Sequence, residues 1–163
     1  MSTLPPEILA LVEMSPVEDL MLAVLRQGLP GIDVQTLIAD DQTFPMVLVR
    51  TQADWGDWAG DPRFIDAATI SIQAFCQGLN GDVDASLLSE AVRVVLRDSV
   101  NKPMPDLGHL IKVQMMGHPR RVTDWATSAG PVQYADLPTG VWRYESTYQI
   151  AMRKPRNKPF PTP

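Results

Sequence analysis

The stretch from Asp66 to Asn101 constrains the fold more than any other, because it holds a strand that needs a cover and, one turn later, a helix able to supply it. Ala68, Ile70, Ile72, Ala74 and Cys76 alternate with Thr69, Ser71, Gln73 and Gln77. This period of two predicts a strand with one buried face and one wet face. Gln77-Gly78-Leu79-Asn80-Gly81-Asp82 supplies the residues that let the backbone reverse. Leu87, Leu88, Ala91, Val92, Val95 and Leu96 then recur at helical spacing, while Ser86, Glu90, Arg93 and Arg97 line the other side. No catalytic pattern falls inside this unit.

The remaining elements follow from similar local signals. Pro5 to Glu13 predicts a short helix, apolar along Ile8, Leu9, Leu11 and Val12. Ser15-Pro16-Val17-Glu18 reads as a capping box ahead of an apolar stripe of Leu20, Val24 and Leu25 with Val17 and Met21, ended by Gly28 and Pro30. Extended stretches at 33–39 and 44–51, joined by Asp40-Asp41-Gln42, predict a hairpin. Residues 53–62 read as a loop, and Lys102 to Asp106 as a stiff exit from the long helix. Leu107 to Gly117 reads as a strand with His109, Ile111, Val113 and Met115 on one face, closed by His118-Pro119-Arg120-Arg121. A short extended piece is expected at 131–135. The closing strand places Trp142, Tyr144, Tyr148, Ile150 and Met152 inside, and Arg143, Glu145, Thr147, Gln149 and Arg153 outside. It is expected to pair with the strand at 107–117.

This order predicts an α+β fold, a mainly antiparallel sheet with two helices packed on one face. At 163 residues, 45% apolar and 20% charged, the chain suits one domain with a sizeable core. Residues 1–14 form an N-terminal extension, 15–153 a single domain, and 154–163, with four prolines among basic residues, an extended tail. The longest apolar run, Leu20 to Leu25, is too short to span a bilayer, and no basic residue precedes Arg26, so neither a membrane anchor nor a secretory signal is expected.

Chemical motifs fail one by one. The chain has no phosphate-binding glycine loop, no dinucleotide fingerprint, no Gly-x-Ser-x-Gly elbow and no His-Glu-x-x-His pair. Its two histidines, His109 and His118, carry no local signature of a triad and read as structural. Asn80-x-Asp82-x-Asp84 begins like a calcium loop, yet Ala85 stands where glycine is needed and Ala91 where glutamate is needed. The lone Cys76 reads as a buried thiol. The expectation is therefore a protein that is not an enzyme, with no catalytic residue, no cofactor and no metal.

What remains are candidate contact surfaces. Trp55 and Trp58, flanked by Asp54 and Asp57, would leave apolar rings in water unless they pack on the core or on another protein. Asp61 joins these aspartates as a cation candidate, and the rings with the acids resemble a sugar-stacking surface, but turn-forming aspartates explain the pattern more simply. Arg120-Arg121 and the run Arg153, Lys154, Arg156 and Lys158 are the basic clusters. They could meet nucleic acid, although no nucleic-acid-binding signature accompanies them. Charge is uneven: residues 1–111 hold 6 Lys+Arg against 16 Asp+Glu, and 112–163 hold 8 against 3. The polarity suits either two surfaces of one monomer or a head-to-tail contact between copies.

The layout as a whole resembles the tail terminator proteins of long-tailed bacteriophages, especially those infecting actinobacteria. The matching features are the helix at Val17 to Gln27, Pro45-Met46-Val47-Leu48-Val49-Arg50, and Ala68 to Phe75 leading into the helix Asp84 to Val100. Gly130-Pro131 and the closing Arg143 to Ile150 complete them. The resemblance implies a structural virion protein: a homo-oligomer ring, usually a hexamer, on the head-proximal end of the tail tube. Such a ring stops tube growth, offers a docking surface to the head-completion or connector protein, and lets DNA pass through its lumen. It implies no membrane, and a location in the virion after assembly in the host cytoplasm. The alternatives are a head-completion protein of the same particle, or a small enzyme without a recognisable motif.

Overall fold

The computed structural model describes residues 3–12, 15–52, 64–122, 140–153 and 155. Two long strands, β3 (Ile65–Gln77) and β6 (Val141–Arg153), pair antiparallel along their whole lengths, from Ile65 opposite Arg153 to Gln77 opposite Val141. β2 (Met46–Gln52) flanks β3, and β1 (Asp33–Gln35) flanks β2. On the far side of β6 lie β4 (His109–Met115) and the two-residue β5 (Arg120–Arg121), end to end along one edge. The sheet order is β1-β2-β3-β6-β4, and among the described residues β1 with β2 is its single parallel pair. With α1 (Pro6–Ala10), α2 (Val17–Gly28) and α3 (Gly81–Asp98), this is the expected α+β fold.

Both long helices cover one face of the sheet. α2 turns Leu20, Met21, Val24 and Leu25 inward, α3 contributes Ala85, Leu88, Val92 and Leu96, and the sheet supplies Val47, Val49, Ile70, Ile72, Tyr148, Ile150 and Met152. Burying one such large side chain contributes roughly 1.5–3 kcal/mol, so this layer is the main apolar core. Leu87, expected on the inner stripe, is 62% exposed. The helix starts at Gly81, and its core-facing rows run through Ala85, Leu88 and Ser89, Val92 and Leu96, which turns Leu87 outward. α1 buries nothing: Ile8, Leu9, Leu11 and Val12 are all exposed, and a five-residue helix has too few contacts to be held by its own propensity.

Four local expectations give way to longer-range contacts. The hairpin at 33–51 is instead a parallel pair, Asp33 opposite Met46 to Gln35 opposite Leu48. The connection between them packs Ile38 and Phe44 against Met46, Leu48 and Phe75 on the sheet face away from the helices, so the chain crosses that face and re-enters in the same direction. The capping box does not form. Pro16 is the N-cap, which places Glu18 one position too early, and its Oε1 accepts from the Thr51 N–H (2.7 Å) and Oγ1 (2.8 Å) on β2. In β4 a bulge at Ile111 separates His109 from the later residues. Leu110, Val113 and Met115 therefore face the core with Met152, Ile150 and Tyr148, whereas His109 lies opposite Arg153.

The fourth correction concerns the sheet's second face, read as wet. Every residue of β3 from Thr69 to Cys76 is buried, as are Arg143 and Glu145 on β6, while Trp142 is 37% exposed. β3 is a central strand, and polar side chains that bond to one another can be buried with apolar ones, so alternation of type does not imply alternation of exposure. Gly28 closes α2 by close approach: a Cβ there would collide with Val95 Cγ1 on α3. Gly28→Ala is expected to cost about 1–3 kcal/mol by overpacking. Urea unfolding measures it, and Val95→Ala in the same chain should recover part of the loss.

Candidate functional site

Trp55, Trp58, Asp54 and Asp57 fall within 53–63, and Lys154, Arg156 and Lys158 at 154 and within 156–163; all lie outside the described residues, as does the extended piece expected at 131–135. Of the sequence candidates, Arg120, Arg121 and Arg153 are described.

Arg120 and Arg121 do not form one patch. They are the two residues of β5, opposite Glu145 and Tyr144, and neighbours in a strand point to opposite faces. Arg120 lies 3.6 Å from Glu145 Oε2 on the second face. Arg121 turns to the helix side, where it donates to Asp82 Oδ2 and stands 5.4 Å from the centre of the Trp142 ring. A bond to Tyr144 first, and the Asp82 carboxylate second, hold its pKa above the usual arginine value. Each arginine thus has its own carboxylate, and neither is left as a free phosphate clamp. Asp82 and Asp84, the remnant of the calcium-like spacing, occupy the first turn of α3, where carboxylates complement the helix dipole.

The second face carries a buried polar layer that periodicity alone did not reveal. Ser71 Oγ donates to Glu145 Oε1 at 3.1 Å, and Arg143 Nη1 donates to Gln73 Oε1 at 3.5 Å. The pairing register brings these together: Ser71 lies two residues from Gln73, which faces Glu145, and Arg143 lies two from Glu145. The one signal in the sequence was that Arg143 and Glu145 share a strand face with Gln73 and Ser71 once the two longest alternating runs are paired.

Groups capable of chemistry are kept apart. His118 is exposed beyond the end of β4 and His109 starts that strand; the six-residue rise between His109 and Met115 alone separates them by roughly 20 Å. Among the described residues, no three of His, Cys, Asp and Glu group as metal ligands. Cys76 borders a groove of about 240 Å³ with Ile32, Phe44, Pro45, Leu87 and Leu88. Burial foremost, then the Asp84 carboxylate, pushes its thiol up to about 11, so the nucleophilic thiolate is scarce near neutral pH.

With this geometry in place, comparison with known families gives a direct match. A family model described as phage tail termination protein covers residues 13–159. No curated protein matches the chain. The matched span holds the whole sheet with α2 and α3, and α1 lies before it.

Two measurements check the site. Glu145→Ala should lower stability by about 1–3 kcal/mol, because Ser71 and Arg143 lose a buried polar neighbour, whereas Arg120→Ala, whose side chain is 73% exposed, should cost under about 1 kcal/mol. Equal losses in chemical denaturation would contradict the polar layer. A disulfide-exchange reagent at pH 8 should leave Cys76 unmodified in the native chain for many minutes and label it at once in guanidinium; prompt native labelling would contradict the burial.

Proposed function

The chain belongs to the phage tail termination protein family, a structural family of the virion, and from that premise we propose that it forms a ring on the head-proximal end of the tail tube. The ring ends tube polymerisation and presents a surface to the head-completion or connector protein. Six copies close it, assembly takes place in the host cytoplasm, and no catalytic step, cofactor or metal takes part. The observation that carries the reading is the family match over 13–159, which spans every described strand of the sheet.

Two further features support it. The helices take one face of the sheet and the second face is itself buried around Ser71, Gln73, Arg143 and Glu145, which leaves the sheet's edges as the surfaces nearest to neighbours. The net charge of −5, with Arg120 and Arg121 each beside a carboxylate, suits a lumen through which DNA slides without sequence-specific contact. Trp55, Trp58, Asp54 and Asp57, with the tail residues Lys154, Arg156 and Lys158, are the proposed contacts to adjoining proteins beyond the sheet.

Tail tube protein polymerised with the purified chain tests this. Tubes should stop at a shorter mean length and carry the chain at one end by electron microscopy. Tubes that grow to the control length with bare ends would overturn the reading, and binding only to purified connector would favour a head-completion role.

A further inference from the structure

The two edges of the sheet carry opposite charge. Asp33 stands on the β1 edge, and Asp40 and Asp41 lie in the connection after β1, next to Gln42, which bonds back to Asp33; Glu18 lies beside the part of β2 that β1 does not reach. The Asp33 carboxylate accepts from the side chains of Gln35 (2.8 Å) and Gln42 (2.7 Å), and Glu18 from Thr51. These donors are neutral, and among the described residues no cation pairs with either carboxylate. Asp40 and Asp41 are exposed and, among the described residues, in no ion pair. Among the described residues, the cations on this side are Arg26 and, on the second face of β2, Arg50.

The opposite edge is basic. Lys112 on β4 and, one strand in from the edge between Ile65 and His109, Arg153 at the end of β6 are exposed and also in no ion pair among the described residues. Arg120 lies further along the same edge, 73% exposed, and reaches Glu145 only at 3.6 Å. The segment before β4 carries one charge of each sign, Lys102 and Asp106. Because β1 and β4 are the two ends of the strand order, the acidic and basic groups lie on opposite sides of one molecule.

Neither edge is free to add a strand along its whole length. The Val34 carbonyl on β1 already accepts from Arg26 Nε (3.0 Å) and Nη2 (2.7 Å). On β4 the Leu110 carbonyl accepts from the Asn101 N–H at 2.7 Å, a bulge follows at Ile111, and then comes Lys112. Such features blunt an edge against main-chain pairing and leave side-chain contact as the way across it.

We propose that the β4–β5 edge of one copy docks against the β1 edge of a second copy, with Lys112 and Arg153 meeting Asp40, Asp41 and Asp33. The contact is heterologous, so each copy keeps one edge of each sign for its neighbours, and a suitable rotation closes the series into a ring. The inference rests on the ring reading above and specifies which surfaces meet.

The test uses two exposed double variants of the full chain. Lys112→Glu with Arg153→Glu makes both edges acidic, and Asp40→Lys with Asp41→Lys makes both basic. By light scattering after size exclusion, the wild type should assemble, and its mass should fall towards 18.0 kDa as salt rises to about 1 M, where screening shortens to roughly 3 Å. Each variant alone should associate about tenfold more weakly or worse, with an unchanged circular dichroism spectrum. Mixing the two should restore an even-membered assembly, and all four changes in one chain should restore self-assembly. If the wild type assembles but the variants alone do so equally well, or their mixture stays apart, the edge pairing is wrong and the ring stands. A wild type that is monomeric at every concentration and with tail tube present removes both.

Discussion

The antiparallel pairing of β3 with β6 is the interaction on which the rest of the molecule depends. It joins residues about 75 positions apart over thirteen partnered residues each, from Ile65 with Arg153 to Gln77 with Val141. Loop closure over such a separation is costly in entropy, and the return comes only when both faces of the pair are covered. α3 packs across both strands and α2 reaches the neighbouring β2 and β1, so the helical layer is seated on a platform that exists only after the long pairing is made. β4 and β5 attach to β6 alone, so the basic edge inherits its position from the same event.

The two faces of that pair are held by different physics, and together they fix its register. One face is apolar, with Ile70, Ile72, Tyr148, Ile150 and Met152 under the helices. The other buries Ser71, Gln73, Arg143 and Glu145, which bond within the layer. A slip of β6 by one residue would carry Arg143 and Glu145 under the helices and expel Tyr148 and Ile150. Both halves of that exchange are unfavourable, since the charged groups would lose partners and the apolar ones their cover. A purely apolar second face would penalise the slip less.

What could be read from the sequence follows from this division. The strand at 68–77, the helix after it, the helix ended by Gly28, and the pairing of 107–117 with 142–153 were all legible, because each writes its period over ten or so residues. What was not legible depends on single residues meeting distant ones. Glu18 looked like a local cap and instead bonds Thr51; Asp40-Asp41-Gln42 looked like a hairpin turn and instead lies in a crossing that buries Ile38 and Phe44. The bulge at Ile111 has no composition signal, and it moved His109 off the face it was expected to share with Val113. Arg120-Arg121 was visible as a basic pair, but that its two members serve opposite faces follows only from its being a strand.

A sheet with two edges has to avoid starting an open-ended polymer of its own. An exposed sheet edge is the usual route to such polymers, because each added strand presents a new edge identical to the last. Here both edges are obstructed, by Arg26 on the Val34 carbonyl at one side, and by Asn101 on the Leu110 carbonyl and the bulge at the other. The obstruction removes strand addition as a means of association but leaves the charges beside it exposed. Charge contacts impose weaker geometry than a hydrogen-bonded ladder, so under the proposed edge contact the angle between copies would be set by side-chain reach and by what else the subunits touch. In the proposed ring that tolerance would let the curvature follow a tube end made by another protein. A continuous intersubunit ladder would instead impose the twist of this sheet on the assembly, whether or not it agreed with the tube.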